Sequence, residues 1–161
     1  MPSTVKPIPE GYSAVTPYLI VADCGRALDF YKKAFGAREL LRMAGPGGKV
    51  GHAEIEIGGS KLMMADEFPE MDCKGPKAYG GSPVSIHLYV TDVDATAKQA
   101  VAAGAKLKRP VEDQFYGDRL GTLEDPFGHT WHVATHKEDL SDDEMRRRHD
   151  DMMSKKTANA A

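Results

Sequence analysis

Three histidines, a pair of tyrosines and one short aromatic-charged run are the side chains whose types and spacing could do chemistry in this chain. His52, Glu54 and Glu56 alternate along one segment, His87 and Tyr89 along another, and His132 sits in Thr130-Trp131-His132. An imidazole beside a carboxylate can ligate a divalent cation or move a proton. In Phe115-Tyr116-Gly117-Asp118-Arg119 the aromatics could cover a ligand, and the guanidinium could grip a carboxylate or phosphate through two bonds. Each set has a plainer alternative. His52-Glu54-Glu56 also reads as the solvated face of a hairpin strand, and His87 and His132 as ordinary pocket histidines. Asp118 and Arg119 also read as a turn that braces a hairpin. His129 and His136 read as residues that cap or flank the last strand. There is no nucleophile motif, phosphate-binding loop or dinucleotide fingerprint.

The elements that must position these residues occur twice. Val21 and Asp23 pair with Val90 and Asp92 at an offset of 69, and Gly36 pairs with Gly104 at an offset of 68. Each copy reads as a strand, an Asp-marked turn and an amphipathic helix closed by glycine, followed by further strands. The first helix is predicted over 26–35 and the second over 94–103. Val50–Ile57 alternates strictly, with Ala53, Ile55 and Ile57 on one face and His52, Glu54 and Glu56 on the other. Gly58-Gly59 then turns the chain into a further strand. The first βαβββ module therefore spans 11–66 and the second 84–136. Residues 67–83, rich in proline and glycine, form a crossover that is either a flap over a site or a linker. Ser141-Asp142-Asp143-Glu144 opens a helix over 141–154, with Met145, His149 and Met152 on one face. A disordered tail is expected over 155–161.

Composition narrows the classes. The 161 residues are 41% hydrophobic and 28% charged, which suits a globular protein with a sizeable core. A net charge of −3 and the lack of a Lys/Arg stripe give nothing to attract nucleic acid. The apolar runs are too short to span a bilayer, and Met1-Pro2-Ser3-Thr4 shows no signal pattern. Cys24 and Cys73 have no CxxC spacing and read as free thiols. The expected location is the cytoplasm, with no nucleic-acid or membrane partner.

Alternation also sorts the paired strands. Thr16 and Tyr18 match Ser85 and His87 at the repeat offset, and Ile20 matches Tyr89. The apolar partners Leu19, Val21, Ile86, Leu88 and Val90 belong under helices. Thr16, Tyr18, Ser85, His87, Tyr89 and His132 are thus expected to line one concavity between the modules.

Leu28-Asp29-Phe30-Tyr31 in the first helix and Asp125-Pro126-Phe127-Gly128-His129 before the last strand complete the pattern. With Phe35-Gly36-Ala37 and Val90-Thr91-Asp92-Val93-Asp94, the chain from Gly11 to His136 resembles the vicinal oxygen chelate superfamily. That group includes glyoxalase I, bleomycin-resistance proteins, fosfomycin-resistance enzymes and extradiol dioxygenases. The resemblance implies an α+β fold of two tandem βαβββ modules forming a paired, cupped mixed sheet, here with an added C-terminal helix. It also implies a divalent metal held by His or Gln, Glu, His and Glu on the first, fourth, fifth and eighth strands. Those positions fall on Thr16, near Met64, on Ser85 and on His132, one strong ligand among four.

The reading that follows is a homodimeric protein that binds a small aromatic or planar molecule between its modules, without metal or other cofactor. Its expected ligand-binding residues are Thr16, Tyr18, Met64, Ser85, His87, Tyr89, Phe115, Tyr116, Arg119 and His132. The alternative is a metal-dependent lyase or dioxygenase with a displaced site built from His52, His87 and His132, with Glu54 or Glu56. A metal-free enzyme using His87 or His132 as acid/base is the third possibility.

Overall fold

The computed structural model describes residues 5–159. The first four residues, read above for a signal pattern, and residues 160–161 of the expected tail lie outside the described residues.

Two four-stranded mixed sheets carry the fold. The first holds β1 (Tyr18–Val21), β2 (Arg38–Ala44), β3 (Val50–Ile57) and β4 (Ser60–Asp66), in the order β1-β4-β3-β2. The second holds β5 (Ser85–Tyr89), β6 (Lys106–Asp113), β7 (Asp118–Glu124) and β8 (Thr130–His136), in the order β5-β8-β7-β6. The repeat read in the sequence is therefore a repeat of topology. In each sheet the first strand pairs in parallel with the last, and among the described residues its other edge carries no strand.

Helices α1 (Cys24–Phe35) and α2 (Val93–Ala103) begin and end by the same chemistry. Asp23 and Asp92 accept from the backbone N–H of Arg26 and Ala95, each at 2.9 Å. This satisfies donors that the first turn leaves unpaired. Gly36 and Gly104 close the helices at φ +66° and +119°, a region that favours glycine.

The helix-bearing faces of the two sheets are turned toward each other and share one core. Tyr31 of α1 lies 5.4 Å from Trp131 of β8 between ring centres, and Phe35 lies 4.7 Å from it. Phe30 meets Phe127 edge-on at 6.2 Å. Asp125, 3% exposed, ties the modules together. Its carboxylate accepts from the Tyr31 hydroxyl (2.6 Å), the Trp131 indole N–H (3.0 Å) and the backbone N–H groups of Phe127 and His129 (both 2.9 Å). Two further bonds cross the junction. Gln99 donates to the carbonyl of Ala34, and the His129 imidazole donates to that of Ile20. The two helix-free faces consequently point outward, away from each other.

Several boundaries differ from the sequence reading. The first strand opens at Tyr18, because Pro17 has no N–H to give a ladder. Thr16 therefore precedes the strand, its hydroxyl bonded to the carbonyl of Ser13. The crossover is not wholly irregular: it contains 3₁₀ turns at Pro69–Met71 and Pro76–Tyr79 and a bridge between Phe68 and Cys73. The terminal helix α3 (Asp142–Asn159) runs past 154 through part of the expected disordered tail. Ion pairs of Arg147 with Glu144 and Asp151 support its solvent-facing turns. Its N-terminus is capped by Ser141, as the sequence motif implied. Among the described residues no helix is long and apolar enough to cross a membrane.

Candidate functional site

The helix-free face of module one is built across three strands. Tyr18 of β1 is level with Met63 of β4, which is level with Glu54 of β3. His52 lies two residues from Glu54 and so on the same face. Three of them, Tyr18, His52 and Glu54, form a hydrogen-bonded row with one extension. The Tyr18 hydroxyl lies 2.9 Å from His52 Nδ1, and His52 Nε2 lies 3.2 Å from Glu54 Oε1. Tyr12, from the segment before β1, donates its hydroxyl to the other Glu54 oxygen. That bond holds the Glu54 carboxyl below the usual range and pushes the Tyr12 hydroxyl up to about 12. Burial raises the Tyr18 hydroxyl above its ordinary value.

A cavity of about 480 Å³ lies beside this row, within the size range of small-molecule sites. Tyr18, Ile20 and Ala65 line it from the sheet, and Phe68, Met71 and Cys73 from the crossover. The crossover is pinned at its root. Buried Asp66 accepts from the backbone N–H of Cys24 (2.7 Å) and of Val50 (2.6 Å), and Glu67 accepts from that of Gly75 (2.7 Å). Lys49 lies over the Phe68 ring and donates to the carbonyl of Glu67. The residues after β4 thus form a wall over the sheet. Cys73 is free and half-buried; Cys24, the first residue of α1, is free and buried, with its thiol pushed up to about 12 by burial.

Module two presents a different face. His87 of β5 is level with His132 of β8, which is level with Thr122 of β7. The two imidazole centres are 6.3 Å apart, and the Tyr89 ring lies 4.6 Å from that of His87. Thr122 Oγ1 is 3.0 Å from His132 Nδ1. Burial, then the nearby His87 and Arg109, holds His132 below the ordinary imidazole value. The Tyr89 hydroxyl donates to Asp118 (2.8 Å), which also meets His136 Nδ1 at 2.7 Å. Ser85 and His87 are exposed on this face. An open groove of about 730 Å³ runs along the junction of the modules, lined by Ile57, Gly58, Leu88, Tyr89 and His136 among others.

The structure does not bring all the sequence-derived candidates together. Thr16 and Tyr18 belong to one outward face, and Ser85, His87, Tyr89 and His132 to the other. Four positions require correction. Met64 is fully buried on the core side, level with Leu19; its neighbour Met63 takes the place on the helix-free face. Arg119 is committed to protein: its guanidinium forks onto Asp94 of α2 at 2.7 and 2.9 Å and reaches Asp113 at 3.2 Å. It braces α2 against the sheet. Phe115 packs edge-on against His149 of α3, with ring centres 5.6 Å apart, and so seats the terminal helix. Tyr116 packs against Phe115 and lies near Asp118, which places it beside that seat and the Tyr89 network. Gly117, at φ +95°, is required there, since a Cβ would collide with the carbonyl oxygen of Glu138.

The family's metal does not fit these residues. At the inherited positions stand Thr16, Met63 in place of Met64, Ser85 and His132, a set with one imidazole and no carboxylate. The displaced three-histidine site does not form either. His52 lies on module one, whereas His87 and His132 lie on module two. Among the described residues no group of three His, Cys, Asp or Glu side chains is arranged to hold a metal ion. Glu56 pairs instead with Arg38 at 3.1 Å.

The sequence reading underweighted the His52–Glu54 pair and missed Tyr12, Met63 and the residues of the crossover wall. One usable signal was present. Alternation placed Ala53, Ile55 and Ile57 in the core, which leaves His52 and Glu54 on the same helix-free side as Tyr18.

Comparison with known proteins agrees with this architecture. A protein of Mycobacterium bovis, described as uncharacterized, is 46% identical over 137 residues, covering 83% of this chain and 90% of its own. The crystal structure of TioX from Micromonospora sp. ML1 is 30% identical with a TM-score of 0.58, covering 77% of this chain and 98% of that one. An Arabidopsis thaliana gene product of known structure is also 30% identical, with a TM-score of 0.62 and coverages of 76% and 98%. The model of the Glyoxalase/Bleomycin resistance protein/Dioxygenase superfamily matches residues 13–133. With its two βαβββ sheets and this match over most of its length, the chain belongs to that superfamily.

Proposed function

We propose that this protein binds a small aromatic or planar molecule on its helix-free faces, without the family's metal. It does so as a homodimer in which module one of one copy is turned toward module two of the other. The observation that carries this reading is the composition of the outward faces: tyrosine and histidine side chains on bare sheet, with an apolar cavity beside Tyr18. Ring faces and directed polar groups suit stacking and hydrogen bonding more than chelation. The free edges of β1 and β5 favour the dimer, since an uncovered edge invites pairing or close packing. A cavity between modules then arises across two chains, where a single chain turns its faces apart.

The test combines sedimentation, calorimetric titration with the planar aromatic probe 4-nitroanisole, and metal analysis by plasma mass spectrometry. A dimer that binds the probe and holds no stoichiometric metal is the expected outcome. A monomer that binds no probe would remove the proposal. A stoichiometric metal lost in His132→Ala would replace it with the metal-dependent lyase or dioxygenase reading.

A further inference from the structure

The row Tyr18–His52–Glu54 has a polarity set by elementary hydrogen-bond chemistry. Glu54 is ionised and can only accept, so the nitrogen facing it, His52 Nε2, must carry a proton. In the neutral imidazole Nδ1 is then an acceptor, and the Tyr18 hydroxyl must be its donor. With its single proton committed to His52, the oxygen of Tyr18, a residue that lines the cavity, is left as an acceptor. Tyr12 fills the remaining side of Glu54 and keeps the carboxylate in place, with Lys61 lying 4.0 Å over the Tyr12 ring. Asp66 and Glu70 also line this largely apolar cavity, and Asp66 is already taken up by the backbone N–H groups of Cys24 and Val50. An acceptor on its sheet wall that is backed by a base, as Tyr18 is by His52, selects for a ligand with one acidic donor on an apolar frame.

We propose that Tyr18, His52 and Glu54 form a proton-accepting relay that selects aromatic ligands bearing an ionisable hydroxyl and binds them as the oxyanion. The proposal rests on the small-molecule reading above and adds the ligand class. The ligand O–H bond breaks as its proton passes to the Tyr18 oxygen, and the Tyr18 proton passes to His52 Nδ1. The ligand oxyanion then accepts from the Tyr18 hydroxyl. The charge left on the protein is an imidazolium held between Tyr18 and the Glu54 carboxylate. No proton leaves the complex and no oxidant is needed. Thr122 occupies the equivalent place beside His132 in module two, so that histidine has no carboxylate behind it in the same arrangement.

The test uses 4-nitrophenol, whose ionised form absorbs visible light, at a pH where the free probe is mostly neutral. 4-Nitroanisole, which has the ring but no acidic proton, is the parallel probe. The wild-type chain is expected to develop the visible band on binding 4-nitrophenol. Tyr18→Phe and His52→Ala should lose the band and bind this probe about tenfold more weakly, the loss of one charge-assisted hydrogen bond. Both variants should keep the wild-type circular dichroism spectrum and urea midpoint, which shows that their fold is intact, and should lose far less affinity for 4-nitroanisole than for 4-nitrophenol. Glu54→Gln should weaken the band and lower the affinity for 4-nitrophenol more than that for 4-nitroanisole. Bound 4-nitrophenol without the band, or equal affinity in wild type and variants, would overturn the relay while leaving the aromatic pocket standing. Binding of neither probe would overturn both.

Discussion

The two modules share a topology and a capping scheme, yet their outward faces have diverged in chemistry. On module one a histidine is backed by a carboxylate, fronted by a tyrosine and walled by the residues that follow β4. On module two two histidines stand level beside a tyrosine, with a threonine in contact with one of them. The tyrosine there points at a carboxylate that serves the strand ends, Asp118. The difference teaches that a repeated fold fixes which faces are exposed, while residues on neighbouring strands decide what each face can do. The core between the modules shows the reverse pattern, because there the copies depend on each other.

That dependence is open to attack at its largest side chain. Trp131→Ala removes the indole against which both Tyr31 and Phe35 pack. It should cost about 3–5 kcal/mol, typical of a large aromatic deletion in a core. If the modules are one cooperative unit, urea unfolding followed by circular dichroism will stay a single transition at lower denaturant. Two separated transitions would show that the modules fold independently.

Asp125→Ala strikes the polar half of the same junction. It leaves the Tyr31 hydroxyl and the Trp131 N–H without their acceptor in a buried setting. A loss of about 2–4 kcal/mol is expected from these two side-chain donors alone, and the backbone N–H groups of Phe127 and His129 lose the same acceptor. Asp125→Asn should recover part of it in the same unfolding assay, since the amide keeps one acceptor oxygen.

The contrast between faces sharpens through paired histidine variants. His52→Ala should weaken 4-nitrophenol binding about tenfold, whereas His132→Ala, whose imidazole has a threonine and not a carboxylate beside it, should weaken it less. Equal losses in calorimetric titration would mean that the carboxylate behind His52 adds nothing to what an imidazole alone contributes on either face.

The smallest expected effect concerns pH. Hydrogen bonds that the His136 imidazole makes to Asp139 and to Asp118, the latter an acceptor for Tyr89 as well, raise it above its ordinary value. A raised folded value means that protonation and folding support each other. The contribution is full below the unfolded imidazole value and fades as pH rises through the folded one. The gap in stability between wild type and His136→Gln should therefore be widest in mild acid and close toward alkaline pH. A pH-independent gap in urea midpoints would show that His136 acts through packing alone.

Much of the architecture was legible because it rests on short-range rules. Asp23 and Gly36, and again Asp92 and Gly104, announce helix ends by the backbone groups they satisfy. Strict alternation over 52–57 separates core from outer face without reference to any other strand. The site was less legible. Met64 was placed by counting along a strand, and one residue of uncertainty moved it to the opposite face, where Met63 now stands. Arg119 looked like a ligand anchor until Asp94, 25 residues earlier in the chain, was found to hold it. The helicity of residues 155–159 was missed because ion pairs on the preceding turns support a segment with little apolar patterning.

Periodicity, caps and the repeat were enough to specify two βαβββ modules and to name which side chains leave the core. They act between residues a few positions apart, so a single chain read in order contains them. The direction in which the modules face belongs to tertiary packing. Tyr31, Phe35, Phe127 and Trp131 bury more surface together than either module can bury alone. That packing draws the helices inward and turns Tyr18 and His87, expected to share one cavity, to opposite outer faces.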